Sequence, residues 1–284
     1  MDNRVNVGYI GLGNIGKPSA RHLIGERYLA HVYDIHEPAV AELVALGALA
    51  SSIEHIAKSC SHIGICVRDE EQVERVLYGD AGLLRHARAD SIIAVHSTVG
   101  HTALLKWSAD ARAQGVHLID APITGGAQGA EDGCLCYMVG GSPEVIARAE
   151  PVFKTSASKV VHAGELGTGI ILKLCNNLIT YAEFMAMSEA MRLAEAGGLS
   201  ADILREVGES NGVINESMHR FISNRNALAK TCSEQQMDEF FGVFGRLGEK
   251  DLDCALASAA DFGVQLPFTA RLRESVLDLF LNKA

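Results

Sequence analysis

Lys173 and Asn177 stand four residues apart in Gly167-Thr168-Gly169-Ile170-Ile171-Leu172-Lys173-Leu174-Cys175-Asn176-Asn177, an otherwise largely apolar run of helical character. Residues i and i+4 share one face of a helix. An ammonium and an amide among Ile, Leu and Cys side chains lose water, which costs free energy unless a polar group meets them. A ligand is one such group; the other reading is a lysine that snorkels along its apolar stem to solvent.

A second set of residues lies at the N-terminus. The β-branched run from Val5 to Ile10 enters Gly11-Leu12-Gly13-Asn14-Ile15-Gly16, and residues 17–26 continue as a candidate helix. Strand, G-x-G-x-x-G and helix follow one another as a dinucleotide fingerprint requires: Gly11 for the tight turn, Gly13 for approach of a pyrophosphate, Gly16 for close packing of helix on strand. Residues 30–35 read as the next strand, and Asp34 falls eighteen residues after Gly16, where an acidic side chain accepts from a ribose hydroxyl. A glycine turn that binds no nucleotide is the competing reading.

Composition narrows the partners. A chain of 284 residues with a formal charge of -10 has no basic cluster for nucleic acid or an anionic membrane. No apolar run approaches a membrane span, and Met1-Asp2-Asn3-Arg4 leads straight to the first strand, so a cytoplasmic location is expected. Seven cysteines with no C-x-x-C pair read as reduced, mostly buried thiols. The eleven histidines are scattered without ligand spacing, and no metal is expected.

These residues need elements to hold them. Further strands are expected at 62–67, 91–96, 116–120, 135–140 and 159–163, with helices at 70–78, 101–114 and 143–153 between them. Such alternation means βαβ units and a mostly parallel sheet covered on both faces. After Gly164 the pattern changes. Residues 169–195 form one long helix stopped by Gly197-Gly198, and 200–210, 216–226, 234–262 and 269–281 also read as helical. The expected fold is α/β: a Rossmann-type doubly wound sheet over residues 1–163, then an all-α domain over 164–284 joined by the long helix.

Four separated blocks together resemble the β-hydroxyacid dehydrogenase family, which includes 3-hydroxyisobutyrate dehydrogenases and tartronate semialdehyde reductases. Gly11-Leu12-Gly13-Asn14-Ile15-Gly16-Lys17-Pro18 is similar to its cofactor signature G-L-G-x-M-G-x-P, and Asp120-Ala121-Pro122-Ile123-Thr124-Gly125-Gly126 to its substrate segment D-A-P-V-S-G-G. Gly167 to Asn177 is similar to the catalytic segment G-x-G-x-x-x-K-x-x-N-N, and Lys250-Asp251-Leu252 to the C-terminal K-D-L. The chain departs from the family pattern at Thr124, usually serine, and at Val67-Arg68-Asp69, usually Leu-Pro-Asn or Leu-Pro-Asp. Asn211-Gly212-Val213 also differs from the Ser-Gly-Arg type of loop that many relatives place near the substrate.

The resemblance implies an NAD-dependent enzyme that moves a hydride between the cofactor and a short-chain 3-hydroxy acid or its semialdehyde, with NAD favoured over NADP. It makes Lys173 the general acid/base, its pKa lowered towards the working pH by partial burial, and lets Asn177 hydrogen-bond the same substrate. Thr124, Gly125 and Gly126 offer a hydroxyl and two unhindered N–H groups that receive the substrate carboxylate; by themselves they also read as a glycine turn. Gly11, Leu12, Gly13, Asn14 and Ile15 then hold the pyrophosphate, Asp34 the adenosine ribose, and the backbone at Val67 runs beneath the cofactor. Thr98 matches a position beside the nicotinamide ribose, its alternative being an N-cap for the helix beginning at His101. Lys250 matches a cofactor contact, its alternative being an exposed pair with Asp251 that caps or bridges helices; Asp251 is read as structural.

Two other functions share this fold. An imine reductase usually lacks a lysine at the catalytic helix position, and a non-catalytic dinucleotide sensor would have lost the proton-transfer group; Lys173 argues against both. Apolar Ile179, Phe184 and Met187 on the long helix exceed what a small helical domain easily buries. The resemblance implies association through this helical domain, and a homodimer or homotetramer is expected.

Overall fold

The structure, a computed structural model, describes residues 3–283. It resolves into two compact units, Met1–Lys173 and Leu174–Ala284, the boundary falling inside one long helix.

The first unit runs β1 (Val5–Ile10), α1 (Gly16–Arg21), β2 (Tyr28–Tyr33), α2 (Glu37–Ala45), β3 (Leu49–Ala50), α3 (Ile53–Ser59), β4 (His62–Ile65), α4 (Glu70–Tyr78) and α5 (Leu83–His86). It continues through β5 (Ile92–Val95), α6 (His101–Ala113), β6 (His117–Asp120), β7 (Ile123–Thr124), α7 (Gly126–Glu131), β8 (Leu135–Gly140), α8 (Pro143–Phe153) and β9 (Ala157–Gly164) to the first turn of α9 (Thr168–Ala196). The strands lie in the order β3-β2-β1-β4-β5-β6-β8-β7, with β9 on β8. Strands β1 to β6 are parallel, β8 runs antiparallel to β6 and β7, and β9 is parallel to β8.

Every residue of β4 and β5 is buried, as in a sheet covered by helices on both faces. The strand order reverses between β1 and β4, and at such a switch point the carboxyl ends of two strands splay open for a ligand. Gly11 follows β1 there, and Val67 follows β4 by two residues.

The expected elements are present with local shifts. The second strand ends at Tyr33, so Asp34 sits just beyond it in the loop, and the first helix stops at Arg21 with His22 as its C-cap. Cys60 is buried, but Cys134 and Cys175 are exposed and the other four lie between, so the expectation of mostly buried thiols fails; all seven are free. Cys134 precedes β8 and Cys175 sits on a solvent-facing position of α9, where the local apolar pattern gives no sign of exposure.

Three imidazoles of this unit are buried, His31, His62 and His96. His62 packs edge-on against Phe153 and His96 stacks on Tyr9, while His96 Nδ1 donates to the Ala121 carbonyl at 2.8 Å. Burial pushes His62 down to about 3 and His96 down to about 4. An unfolded imidazole titrates at about 6.5, so the unfolded chain takes up these protons first as pH falls and stability declines below that value. The loss is about 2 kcal/mol for each at about pH 5. Thermal unfolding midpoints from pH 7 to 5 should fall less steeply for His62→Phe than for wild type; parallel slopes would assign the acid sensitivity to other groups.

The second unit holds the rest of α9, then α10 (Ala201–Ser210), α11 (Glu216–Ala229), α12 (Glu234–Met237), α13 (Val243–Asp261) and α14 (Pro267–Leu281). The single helix expected over 234–262 is broken by a π turn at Asp238–Gly242. There the Asp238 carboxylate pairs with Arg246 eight residues on, over Gly242, where a Cβ would stand 2.3 Å from the end of the exposed Asp238 side chain. Tyr181, Phe241, Leu252, Leu272, Val276 and Phe280 form the main core, with Phe184 and Phe221 stacked beside it at 5.0 Å. Met187 is buried in a second cluster, whereas Ile179 stays 56% exposed. Among the described residues no helix is long and apolar enough to cross a membrane.

Candidate functional site

The turn after β1 is shaped by what its glycines leave out. Gly11 has φ +93°, and a Cβ there would stand 2.2 Å from the Cys66 carbonyl oxygen; one on Gly16 would stand 2.0 Å from Gly11 O. A Cβ on Gly13 would meet nothing within 4 Å. The N–H groups of Gly13, Asn14 and Ile15 have no hydrogen-bond partner among the described residues. An open, donor-lined turn at the sheet's switch point fits a dinucleotide pyrophosphate. Asp34 Oδ2 accepts from the Leu12 N–H at 2.5 Å and Oδ1 from the His36 N–H at 2.7 Å. The carboxylate is thereby fixed against the turn, with lone pairs left for a ribose diol.

The loops after β4 and β5 are clamped by a residue not singled out from the sequence. Ser97 Oγ accepts from the Val67 N–H at 3.0 Å and donates to the Val67 carbonyl at 2.8 Å. A buried serine that satisfies both polar groups of one residue sets the path of that loop. Thr98 follows, half-buried. The N-cap of α6 is Gly100, which provides no side-chain cap.

Asp120, at the end of β6, is the second residue missed. Its side chain is fully buried and accepts from the Gly167 N–H (Oδ1, 2.8 Å) and the Ile170 N–H (Oδ2, 2.7 Å), with Gly169 also bonded to it. Burial pushes this carboxyl up, and the backbone donors pull it back only in part. The first N–H groups of a helix lack internal partners and attract negative charge, so Asp120 caps α9 and fixes its start. Lys173 stands one turn further along α9, half-buried. Four residues beyond Asp120 in the other direction comes Thr124, paired with Cys136 across β7 and β8. One buried carboxylate thus joins the segment carrying Thr124 to the helix carrying Lys173.

The Thr124 hydroxyl has no hydrogen-bond partner among the described residues. Gly125 and Gly126 are exposed, with φ of +129° and +66°, and a Cβ on Gly126 would meet nothing within 4 Å. The segment is open to an anion.

In the second unit Asn177 is buried and its Nδ2 donates to Asp251 Oδ2 at 2.7 Å; the Tyr181 hydroxyl donates to the same oxygen at 3.0 Å. Lys250 Nζ lies 2.9 Å from Asp251 Oδ1, an ion pair by distance although its approach is off-line for a hydrogen bond. Burial and the neighbouring Asp251 raise the Tyr181 hydroxyl far above the ordinary phenol range. Asp251 is 2% exposed and gathers Asn177, Tyr181 and Lys250 around it, so the pair does not stand exposed but does bridge α13 to α9, as the structural alternative has it. Among the described residues no group of His, Cys, Asp and Glu is arranged to hold a metal.

Comparison with known proteins agrees with this layout. Residues 6–164 match the family model of the NAD-binding domain of 6-phosphogluconate dehydrogenase, and residues 167–280 match that described as the NAD-binding domain of NADP-dependent 3-hydroxyisobutyrate dehydrogenase. An uncharacterised oxidoreductase of Mycobacterium tuberculosis is 36% identical over 261 residues, 92% of this chain and 88% of that protein. The 2-(hydroxymethyl)glutarate dehydrogenase of Eubacterium barkeri is 32% identical over 276 residues, 95% of this chain and 87% of its own length. Among solved structures, Mycobacterium tuberculosis 3-hydroxyisobutyrate dehydrogenase with L-serine superposes with a TM-score of 0.82 at 26% identity, over 99% of this chain and 95% of that one. With a dinucleotide turn at the switch point of a doubly wound sheet and both halves matched in sequence, the chain belongs to the β-hydroxyacid dehydrogenase family and is an NAD-binding hydroxy acid dehydrogenase.

Proposed function

We propose that the enzyme oxidises a short-chain 3-hydroxy acid, of 3-hydroxyisobutyrate type, to its semialdehyde with NAD, or runs the reverse, with Lys173 as general acid/base. The observation that carries this reading is Asp120, which ties the start of the Lys173 helix to the strand leading into Thr124. Thr124, Gly125 and Gly126 hold the carboxylate, which fixes the distance from that anion to the reacting carbon. When bound, NAD would supply the acceptor for the hydride that leaves the carbinol carbon. Lys173 Nζ takes the hydroxyl proton as the carbonyl forms, and returns it in reduction. Asn177 retains a second amide hydrogen beyond the one given to Asp251 and directs it to the same substrate oxygen. Gly11 to Ile15, Asp34, Val67, Thr98 and Lys250 bind the cofactor. A cytoplasmic homodimer or homotetramer completes the proposal.

A spectrophotometric screen of 3-hydroxyisobutyrate, L-serine, 3-hydroxypropionate, glycerate and their semialdehydes, with both nicotinamide cofactors, tests it. Turnover of one or more 3-hydroxy acids is expected, and a panel with no activity in either direction would remove the substrate class.

Cofactor choice follows from Asp34. A 2′-phosphate would meet its carboxylate with no arginine next to it, since Ile35 and His36 follow. NAD is expected to give the higher kcat/KM, and Asp34→Ser to shrink the preference by relieving like-charge repulsion. A wild-type ratio favouring NADP would overturn the assignment.

A further inference from the structure

The short helix α7 carries little of what normally holds a helix in place. Its six residues, Gly126-Ala127-Gln128-Gly129-Ala130-Glu131, include one buried side chain, the methyl group of Ala130. Burial of apolar surface therefore fixes it weakly. Gly125 before it and Gly133 after it both have positive φ, so the chain turns sharply at each end. α1 is different: Pro18, Ser19 and Ala20 are buried, and Ala20 and Leu23 enter the core.

Two side chains at the end of α1 reach the end of α7. His22 Nε2 lies 3.0 Å from Ala130 O and 3.2 Å from Glu131 O. Both are carbonyls and can only accept, so Nε2 carries the hydrogen and is shared between them. Arg21 Nη2 donates to Glu131 O at 3.0 Å and pairs with Glu131 Oε2 at 2.8 Å. The His22 ring also lies against Gly133, where a Cβ would stand 3.3 Å from Cε1. The last carbonyls of a helix lack donors of their own and favour a cation beside them. Ala130 O also accepts from the Gly133 N–H at 3.3 Å, whereas Arg21 and His22 supply the donors to Glu131 O, and Arg21 the cation, from another element.

Each helix begins at one of the two glycine segments of the site. α1 opens on Gly16, the last glycine of the dinucleotide turn, and α7 on Gly126 of the carboxylate segment. Six helical residues span about 9 Å, so a grip on one end governs the donors at the other.

We infer that Arg21 and His22 are positioning residues for the substrate carboxylate: by gripping the C-terminus of α7 they hold Thr124, Gly125 and Gly126 in register with the dinucleotide turn. This rests on the reading of that segment as the carboxylate site. Substrate affinity, and not the proton or hydride step, is what the grip supplies.

The full-length enzyme carrying Arg21→Met with His22→Phe, and a second variant with His22→Gln alone, are compared with wild type on the best hydroxy acid and on its uncharged amide. The double variant should raise KM for the acid about tenfold, with kcat, KM for the amide and the NADH dissociation constant each within about twofold. His22→Gln, whose amide still donates, should recover most of the loss. An unchanged KM for the acid overturns the proposal, as does an equal rise for acid and amide, or a His22→Gln enzyme as impaired as the double variant. Should the double variant fail to fold, the exposed Arg21→Met alone carries the same comparison. Thr124→Val separates the two levels: if it leaves acid-over-amide selectivity intact, the carboxylate reading falls and the grip with it. If it lowers that selectivity while the double variant matches wild type, only the grip is wrong.

Discussion

Lys173→Ala is expected to lower kcat by about 10² to 10⁴ while the enzyme still binds NADH. The range is that of a lost general acid/base, because the hydroxyl proton must then leave to water during hydride transfer. Lys173→Met gives the same result with the stem length kept, which separates loss of the ammonium from loss of packing on α9. Asp120 caps the helix through backbone N–H groups, so neither substitution disturbs the start of α9. Steady-state turnover with the best substrate, alongside NADH fluorescence titration, measures both quantities. Near-normal kcat in the alanine variant would take the proton-transfer role away from Lys173; loss of NADH binding would show that the variant perturbs the fold instead.

Thr124→Val is expected to lower kcat/KM for the acid about ten- to a hundredfold, the cost of unpairing one hydrogen bond to a charged group. Valine keeps the branched shape and the strand preference of β7, where Thr124 pairs with Cys136. Gly125→Val would be less clear, since φ +129° there is hostile to any side chain. Comparing the acid with its uncharged amide isolates the anion: the variant should lose activity on the acid and little on the amide. Equal discrimination by wild type and variant would leave the segment a turn and place carboxylate recognition elsewhere.

The turn after β1 was legible in the sequence because strand, G-x-G-x-x-G and helix follow one another in a short window. In the structure a Cβ on Gly11 would meet Cys66 O and one on Gly16 would meet Gly11 O, while Gly13 faces open space. The long helix was equally legible, expected over 169–195 and observed as Thr168–Ala196, since it carries no proline and ends at a glycine pair. Shorter elements were not. β3 and β7 have two residues each, too few for an alternating pattern, and α7 contains two glycines in six residues, a composition that reads as loop.

The sequence by itself determined the fold class, the family and the residue types available for chemistry, because these follow from spacing within windows of a dozen residues. Tertiary structure decided what holds those residues in place. Asp120 meets Gly167 and Ile170 across 47 and 50 residues, Ser97 meets Val67 across 30, and Asp251 meets Asn177 across 74. No local pattern encodes such pairs: strand register and helix packing bring them together, and burial then leaves each polar group with the partner it has found.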